Sequence, residues 1–68
     1  MLKDWNHDLV HQMSEISDSL WRMKDYAKAA SACSHCSALW AKLEGDYESH
    51  IKLLAEEIKR HVAENRFD

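Results

Sequence analysis

The stretch that decides the fold is residues 2–30, LKDWNHDLVHQMSEISDSLWRMKDYAKAA, where apolar side chains recur every seven residues. One line of this repeat consists of Leu2, Leu9, Ile16, Met23 and Ala30, and a second line, offset by four, consists of Met13, Leu20 and Ala27. No proline interrupts the repeat. Two lines at this offset form the contact stripe of a packed or coiled-coil helix. The stretch therefore predicts one long helix that packs along its length.

A second helical pattern occupies the C-terminal half. Its apolar stripe consists of Leu39, Trp40, Leu43, Tyr47, Ile51, Leu54, Ile58 and Val62. Between the two patterns, residues 31–37 are SACSHCS, and these small and hydroxyl-bearing residues are compatible with a continuing helix or with a break. The only glycine, Gly45, is followed by Asp46. Because glycine commonly ends a helix and aspartate caps the next one, we predict the main turn near Gly45.

With a turn at Gly45, the two helices of the hairpin would differ in length. A helix over residues 4–43 would be about 60 Å long, and one over residues 46–66 only about 30 Å. The uncovered stripe favours a homodimer in which two hairpins form a four-helix-like bundle. The residues predicted for this dimer seam are Leu9, Met13, Ile16, Leu20 and Met23. The alternative is a monomeric three-helix bundle, and in both cases residues 1–68 form a single all-α domain.

Composition argues against several classes of partner. The net charge is −3, and the nine lysines and arginines are scattered, so a nucleic-acid partner is not predicted. The longest apolar run is only residues 38–41, which predicts no membrane segment. Two cysteines without an export signal favour a reducing compartment, and we expect a cytoplasmic protein.

The pair Cys33 and Cys36, with His35 between them, is the sharpest chemical motif in the chain. Free cysteines often act as small apolar core residues, and we expect these two to fill space where helices come close. The alternative function is a metal- or thiol-responsive helical switch that uses this pair. A thioredoxin-type role is not predicted, because that motif follows a strand at a helix N-terminus and no strand pattern precedes residue 31.

Four further histidines are spread over the two helical patterns. His7 and His11 are four residues apart and could chelate a metal ion together with Cys33 and Cys36, but we expect two solvated side chains on a polar face. His50 and His61 border the apolar face of the last helix. A histidine in that position is expected to pair with a neighbouring carboxylate. No metal site and no cofactor is predicted.

No catalytic residues are predicted, because the chain has no nucleophile elbow and no glycine loop to position them. The large aromatic side chains are better suited to binding. Trp21 lies beside the apolar stripe and outside its two lines, and with Trp5 it is a candidate partner-binding residue. We therefore predict a non-enzymatic protein–protein interaction or regulatory accessory module with an acidic helical face and an exposed tryptophan.

Overall fold

A computed structural model describes residues 1–68 and shows two helices packed as a hairpin. Helix α1 spans Asp4–Ala29 and helix α2 spans Ser34–Ala63. The molecule is elongated, with principal extents of 49 × 18 × 11 Å. Near one end Asn6 contacts His61, and near the other the rings of Tyr26 and Trp40 lie 5.0 Å apart, so the helices run antiparallel. The predicted all-α class and helical hairpin are confirmed.

The turn between the helices lies at residues 30–33, and the predicted turn at Gly45 is wrong. The Ala30 N–H donates to the Tyr26 carbonyl at 3.1 Å, which closes α1, and the Cys33 N–H donates to the Ala30 carbonyl at 2.9 Å. Cys33 has extended backbone angles and is the N-cap of α2. The Ser37 hydroxyl also donates to the Ala30 carbonyl at 3.1 Å. The hydroxyl-rich segment therefore supplies its own hydrogen bonds to the turn.

Gly45 instead lies inside α2, with no positive φ angle. A Cβ atom built on it would meet no atom within 4 Å, so this position faces open space. A glycine inside a helix weakens it by only about 1 kcal/mol relative to alanine. Packing along the whole hairpin outweighs a penalty of that size, which is why the glycine does not interrupt the helix.

The position of the turn removes the length argument for a second copy of the chain. The helices contain 26 and 30 residues, so they cover each other almost completely. The chain also contributes two helices, not the three of the alternative bundle. A homodimer stays a prediction, but it no longer follows from an uncovered half of α1.

The apolar core is small and lies on the predicted stripe of α1. Ile16 is 7% exposed and Met23 is 6% exposed, and they are the only buried hydrophobic residues. On α2, the facing stripe is half-buried and includes Trp40, Tyr47, Ile51, Leu54 and Ile58. Nine large apolar side chains remain exposed. Neither helix combines the length and apolar composition that crossing a bilayer requires.

Candidate functional site

A polar cluster around Asn6 joins the two chain termini at the end of the hairpin opposite the turn. Asn6 is the only large side chain with no exposed surface. The Asn6 side-chain amide donates to the carbonyl of Arg66 at 2.7 Å and to that of Asp68 at 3.0 Å. The Lys3 N–H donates to the same Asp68 carbonyl at 2.7 Å. These bonds hold the C-terminal residues across the start of α1. Asn6 is not a sequence-predicted site residue, because its partners are more than 50 residues away in the chain.

His61 connects this cluster to a chain of charges on α2. Its Nδ1 lies 2.7 Å from the Asn6 amide oxygen, and its Nε2 lies 3.0 Å from a Glu57 carboxylate oxygen. The Asn6 amide oxygen and the Glu57 carboxylate are both acceptors, so each His61 ring nitrogen faces a hydrogen-bond acceptor. The expected pairing of a border histidine with a carboxylate is confirmed for His61.

Glu57 also pairs with Arg60, at an N–O distance of 2.5 Å. Hydrogen bonding and the charge of the Arg60 guanidinium, helped by His61, lower the pKa of Glu57 from 4.5 to about 2. Arg60 additionally donates to Glu64 at 3.2 Å. Glu57 is therefore ionised over the whole neutral range, and these residues form a fixed charge network rather than an acid–base pair suited to proton transfer.

The two candidate partner-binding tryptophans lie in different surroundings. The Lys3 ammonium lies 5.6 Å from the centroid of the Trp5 ring and the Arg66 guanidinium lies 5.9 Å from it, while Trp5 stays 52% exposed. Such cation–π contacts stabilise the end of the hairpin where the two chain termini meet. Trp21 has no such partner and is 76% exposed. Trp21 is therefore the more exposed of the two, and no cation lies over its ring.

We call the exposed face of α1 around Trp21 the Trp21 surface, formed by Val10, Asp18, Trp21 and Asp25. Val10 is eleven residues, or about three helical turns, from Trp21 and lies on the same side of the helix. Asp18 and Asp25 are the neighbours of Trp21 at three and four residues' spacing. Neither carboxylate forms an ion pair within the hairpin, since the ion pairs of the chain all involve other acids.

The cysteines lie together at the turn, where both are exposed. The expectation that they fill the core is therefore wrong: the turn places them at the tip of the hairpin and not between the helices. The Cys33 sulfur accepts a hydrogen bond from the Cys36 backbone N–H at 3.2 Å. Cys33 thereby caps α2 in the position that serine or aspartate usually occupies.

His7 and His11 lie near the opposite end of α1 from the cysteines, so the four residues do not converge on one metal ion. Their rings stack 5.6 Å apart on the exposed face of the helix. His7 contacts Asp8 at 3.1 Å, and His11 approaches Glu15 at 3.6 Å. No three metal-ligating side chains cluster anywhere in the structure.

The predicted dimer-seam residues lie on the inner stripe of α1. Ile16 and Met23 are already buried by α2 of the same chain, whereas Leu9, Met13 and Leu20 stay half-buried. Beside this stripe is a groove of about 280 Å³ lined by Gln12, Ile16, His50, Leu53 and Leu54. Leu53 on its rim is 64% exposed. Only the edges of the inner stripe are therefore open to a contact.

Comparison with protein-family models, curated proteins and solved structures finds no match to this chain.

Proposed function

We propose that this hairpin is a small, non-enzymatic protein–protein interaction module with a regulatory or accessory role, and that it binds a partner through the Trp21 surface. The observation that carries the proposal is the exposure of the Trp21 indole, 76% in a chain that buries only two hydrophobic side chains. Tryptophan is among the residues that contribute most to binding energy at protein interfaces. An indole left open on the exposed face of α1 therefore favours docking over a purely structural role.

The charges around the indole favour a partner with basic residues. Helix α1 contains five acidic residues against three basic ones. Asp18 and Asp25 flank Trp21 and have no ion-pair partner in the hairpin, so they are free to meet lysine or arginine from another protein. We propose a partner with an apolar pocket for the indole and a basic rim. Its association should weaken as salt is raised, because exposed charges are screened.

The test uses the hairpin as bait with a photo-crosslinking residue in place of Val10, followed by titration of the purified partner. We expect Trp21→Ala to weaken the affinity at least about tenfold, the size of a moderate hot spot. Leu39→Ala, an exposed apolar residue on α2, is the matched control and should leave the affinity unchanged. Equal loss in both variants, or no loss in either, would contradict the proposal. Trp21→Glu should keep its helical spectrum, since an exposed side chain is not part of the core.

We also propose that the chain associates with a second copy through the edges of its inner stripe, in the cytoplasm. Support for association comes from the half-buried Leu9, Met13 and Leu20 and from the exposed Leu53 at the groove. The location is proposed from the cysteine content of the chain, because a reducing compartment keeps cysteines as thiols. Light scattering over a dilution series tests the assembly, and a folded monomer at micromolar concentration would contradict it. Crosslinks from Val10 that join only copies of this chain would assign the Trp21 surface to self-association instead.

A further inference from the structure

The dithiol at the tip of the hairpin has a geometry that its sequence context did not predict. Cys33 is the N-cap of the 30-residue helix α2 and has extended backbone angles, φ −116° and ψ 107°. Cys36 lies three residues on, in the first turn of the same helix, and its N–H donates to the Cys33 sulfur at 3.2 Å. Both thiols are exposed. Residues three apart at a helix start are neighbours, and the non-helical backbone of Cys33 leaves its side chain free to approach Cys36.

The surroundings of the two sulfurs make them chemically unequal. Hydrogen bonds from the Cys36 side chain and from the backbone N–H groups of Cys36 and His35 lower the pKa of the Cys33 thiol. The hydrogen bond to Cys33 raises the pKa of the Cys36 thiol. The N-terminal end of the α2 dipole adds a further partial positive charge beside Cys33. Cys33 is therefore the more readily ionised sulfur of the pair.

The local charge distribution near the turn acts in the same direction. Residues 26–43 contain no aspartate or glutamate, although the whole chain has twelve acidic residues, and of the two lysines in this segment Lys42 pairs with Asp46 whereas Lys28 forms no ion pair. No carboxylate in this segment opposes a thiolate at Cys33. The tip is thus the one region of an acidic chain where an anionic sulfur, or an anionic disulfide approaching it, meets no sequence-local repulsion.

We propose that Cys33 and Cys36 form a reversible dithiol–disulfide site that reacts with low-molecular-weight disulfides. The Cys33 thiolate attacks one sulfur of the disulfide, forms a mixed disulfide and releases the first thiolate. Deprotonated Cys36 then attacks the Cys33 sulfur, closes the Cys33–Cys36 disulfide and releases the second thiolate. The protein gives up two electrons and two protons, and the small disulfide is reduced to two thiols. Excess small thiol reverses both steps.

The structure favours this thiol chemistry over metal binding by the same two cysteines. A stable zinc site takes four ligands, and no third metal-ligating side chain joins the two cysteines. Closing the disulfide would replace a capping hydrogen bond at the turn by a covalent link across the same two residues. The hairpin should therefore keep its helix pairing in both redox states.

Glutathione disulfide is the probe for the test, added to the reduced full-length protein at neutral pH and followed by mass spectrometry. Wild-type protein should lose two mass units and release two glutathione thiols per chain. Cys36→Ser should stop at a mixed disulfide that carries one glutathione. Cys33→Ser should react several-fold more slowly than Cys36→Ser, because its remaining thiol lacks the cap position. Serine is a good N-cap at position 33, and Cys36 is exposed, so both variants should keep their helical spectrum.

A repeat of the rate comparison in denaturant is the matched control, and there the two variants should react alike. Equal rates in the folded proteins would overturn the proposal, because the fold would then not activate Cys33. So would wild-type protein that accumulates glutathione adducts or disulfide-linked dimers in place of the internal disulfide.

Discussion

Replacing Asn6 by alanine tests how the hairpin is closed. The substitution removes three hydrogen bonds, to the carbonyls of Arg66 and Asp68 and to the ring of His61. Each such bond contributes about 0.5–1.5 kcal/mol net, and a buried group left without a partner costs about 1–3 kcal/mol. The two carbonyls near the chain end can bind water after the change, whereas His61 is buried and cannot do so readily. We therefore expect a loss of about 2–4 kcal/mol.

That loss is large for a chain of this length. At about 0.05–0.15 kcal/mol per residue, the whole hairpin has a free energy of unfolding of roughly 3–10 kcal/mol. The melting temperature of Asn6→Ala should fall by roughly 8–32 °C, at about 4–8 °C for each kcal/mol. Denaturant titration followed by far-ultraviolet circular dichroism measures the change, with Gln12→Ala, an exposed residue of the same helix, as control.

Hydrogen exchange separates this explanation from a general loss of stability. The Lys3 N–H donates to the Asp68 carbonyl, so its exchange should accelerate more than that of amides in the middle of α1 once the C-terminal residues detach. If Asn6→Ala changed stability by less than about 0.5 kcal/mol, as an ordinary surface substitution does, the reasoning would be refuted.

Three smaller perturbations test other parts of the structure. Gly45→Ala should raise stability by about 0.5–1 kcal/mol in denaturant titration, because the glycine lies inside α2 with free space around it; a loss would mean that the helix breaks there. Asn65 has a φ of 57°, in the left-handed region. Asn65→Ala should therefore lower the free energy of unfolding by about 1 kcal/mol, while Asn65→Gly should leave it nearly unchanged. Equal melting temperatures for the two variants would contradict the left-handed conformation. Arg60 lowers the pKa of Glu57 from 4.5 to about 2, so the unfolded state binds more protons in that range, and stability should fall as the pH falls from about 4.5 to about 2. Glu57→Gln should flatten that part of the pH profile, and an unchanged profile would contradict the pairing.

The inner face of α1 could be predicted from sequence because its signal is local and repeated. A seven-residue repeat without glycine or proline predicts that Ile16 and Met23 lie on the buried face of a helix, whichever element packs against that face. The turn could not be predicted in the same way. Gly45 is a strong local signal that full-length packing overrides, whereas at the real turn the Cys33 sulfur accepts from the Cys36 N–H and the Ser37 hydroxyl donates to the Ala30 carbonyl, and the hydrophobic pattern indicates neither bond.

The contacts of the site residues could not be predicted either, because they depend on the position of the turn. Asn6 and His61 meet only because the helices reverse at residues 30–33, so a hairpin reversing at Gly45 would have kept them apart. Trp5 and Trp21 look alike as sequence signals. In the folded chain Arg66 lies 5.9 Å from the Trp5 ring centroid, whereas Trp21 is 76% exposed, and this difference comes from tertiary structure that no local pattern carries.

A distance between spin labels at Gln12 and Leu53 tests most directly whether the two helices of one chain cover each other. Both residues line the same groove, so labels introduced there, in a background with Cys33 and Cys36 replaced by serine, should lie within about 20 Å, given helix axes about 8–10 Å apart. The distance should persist when labelled protein is diluted with unlabelled chain. A turn at Gly45 would instead separate the labels by roughly 40 Å along α1. A value near that length, or a short distance that vanishes on dilution, would contradict the hairpin described above.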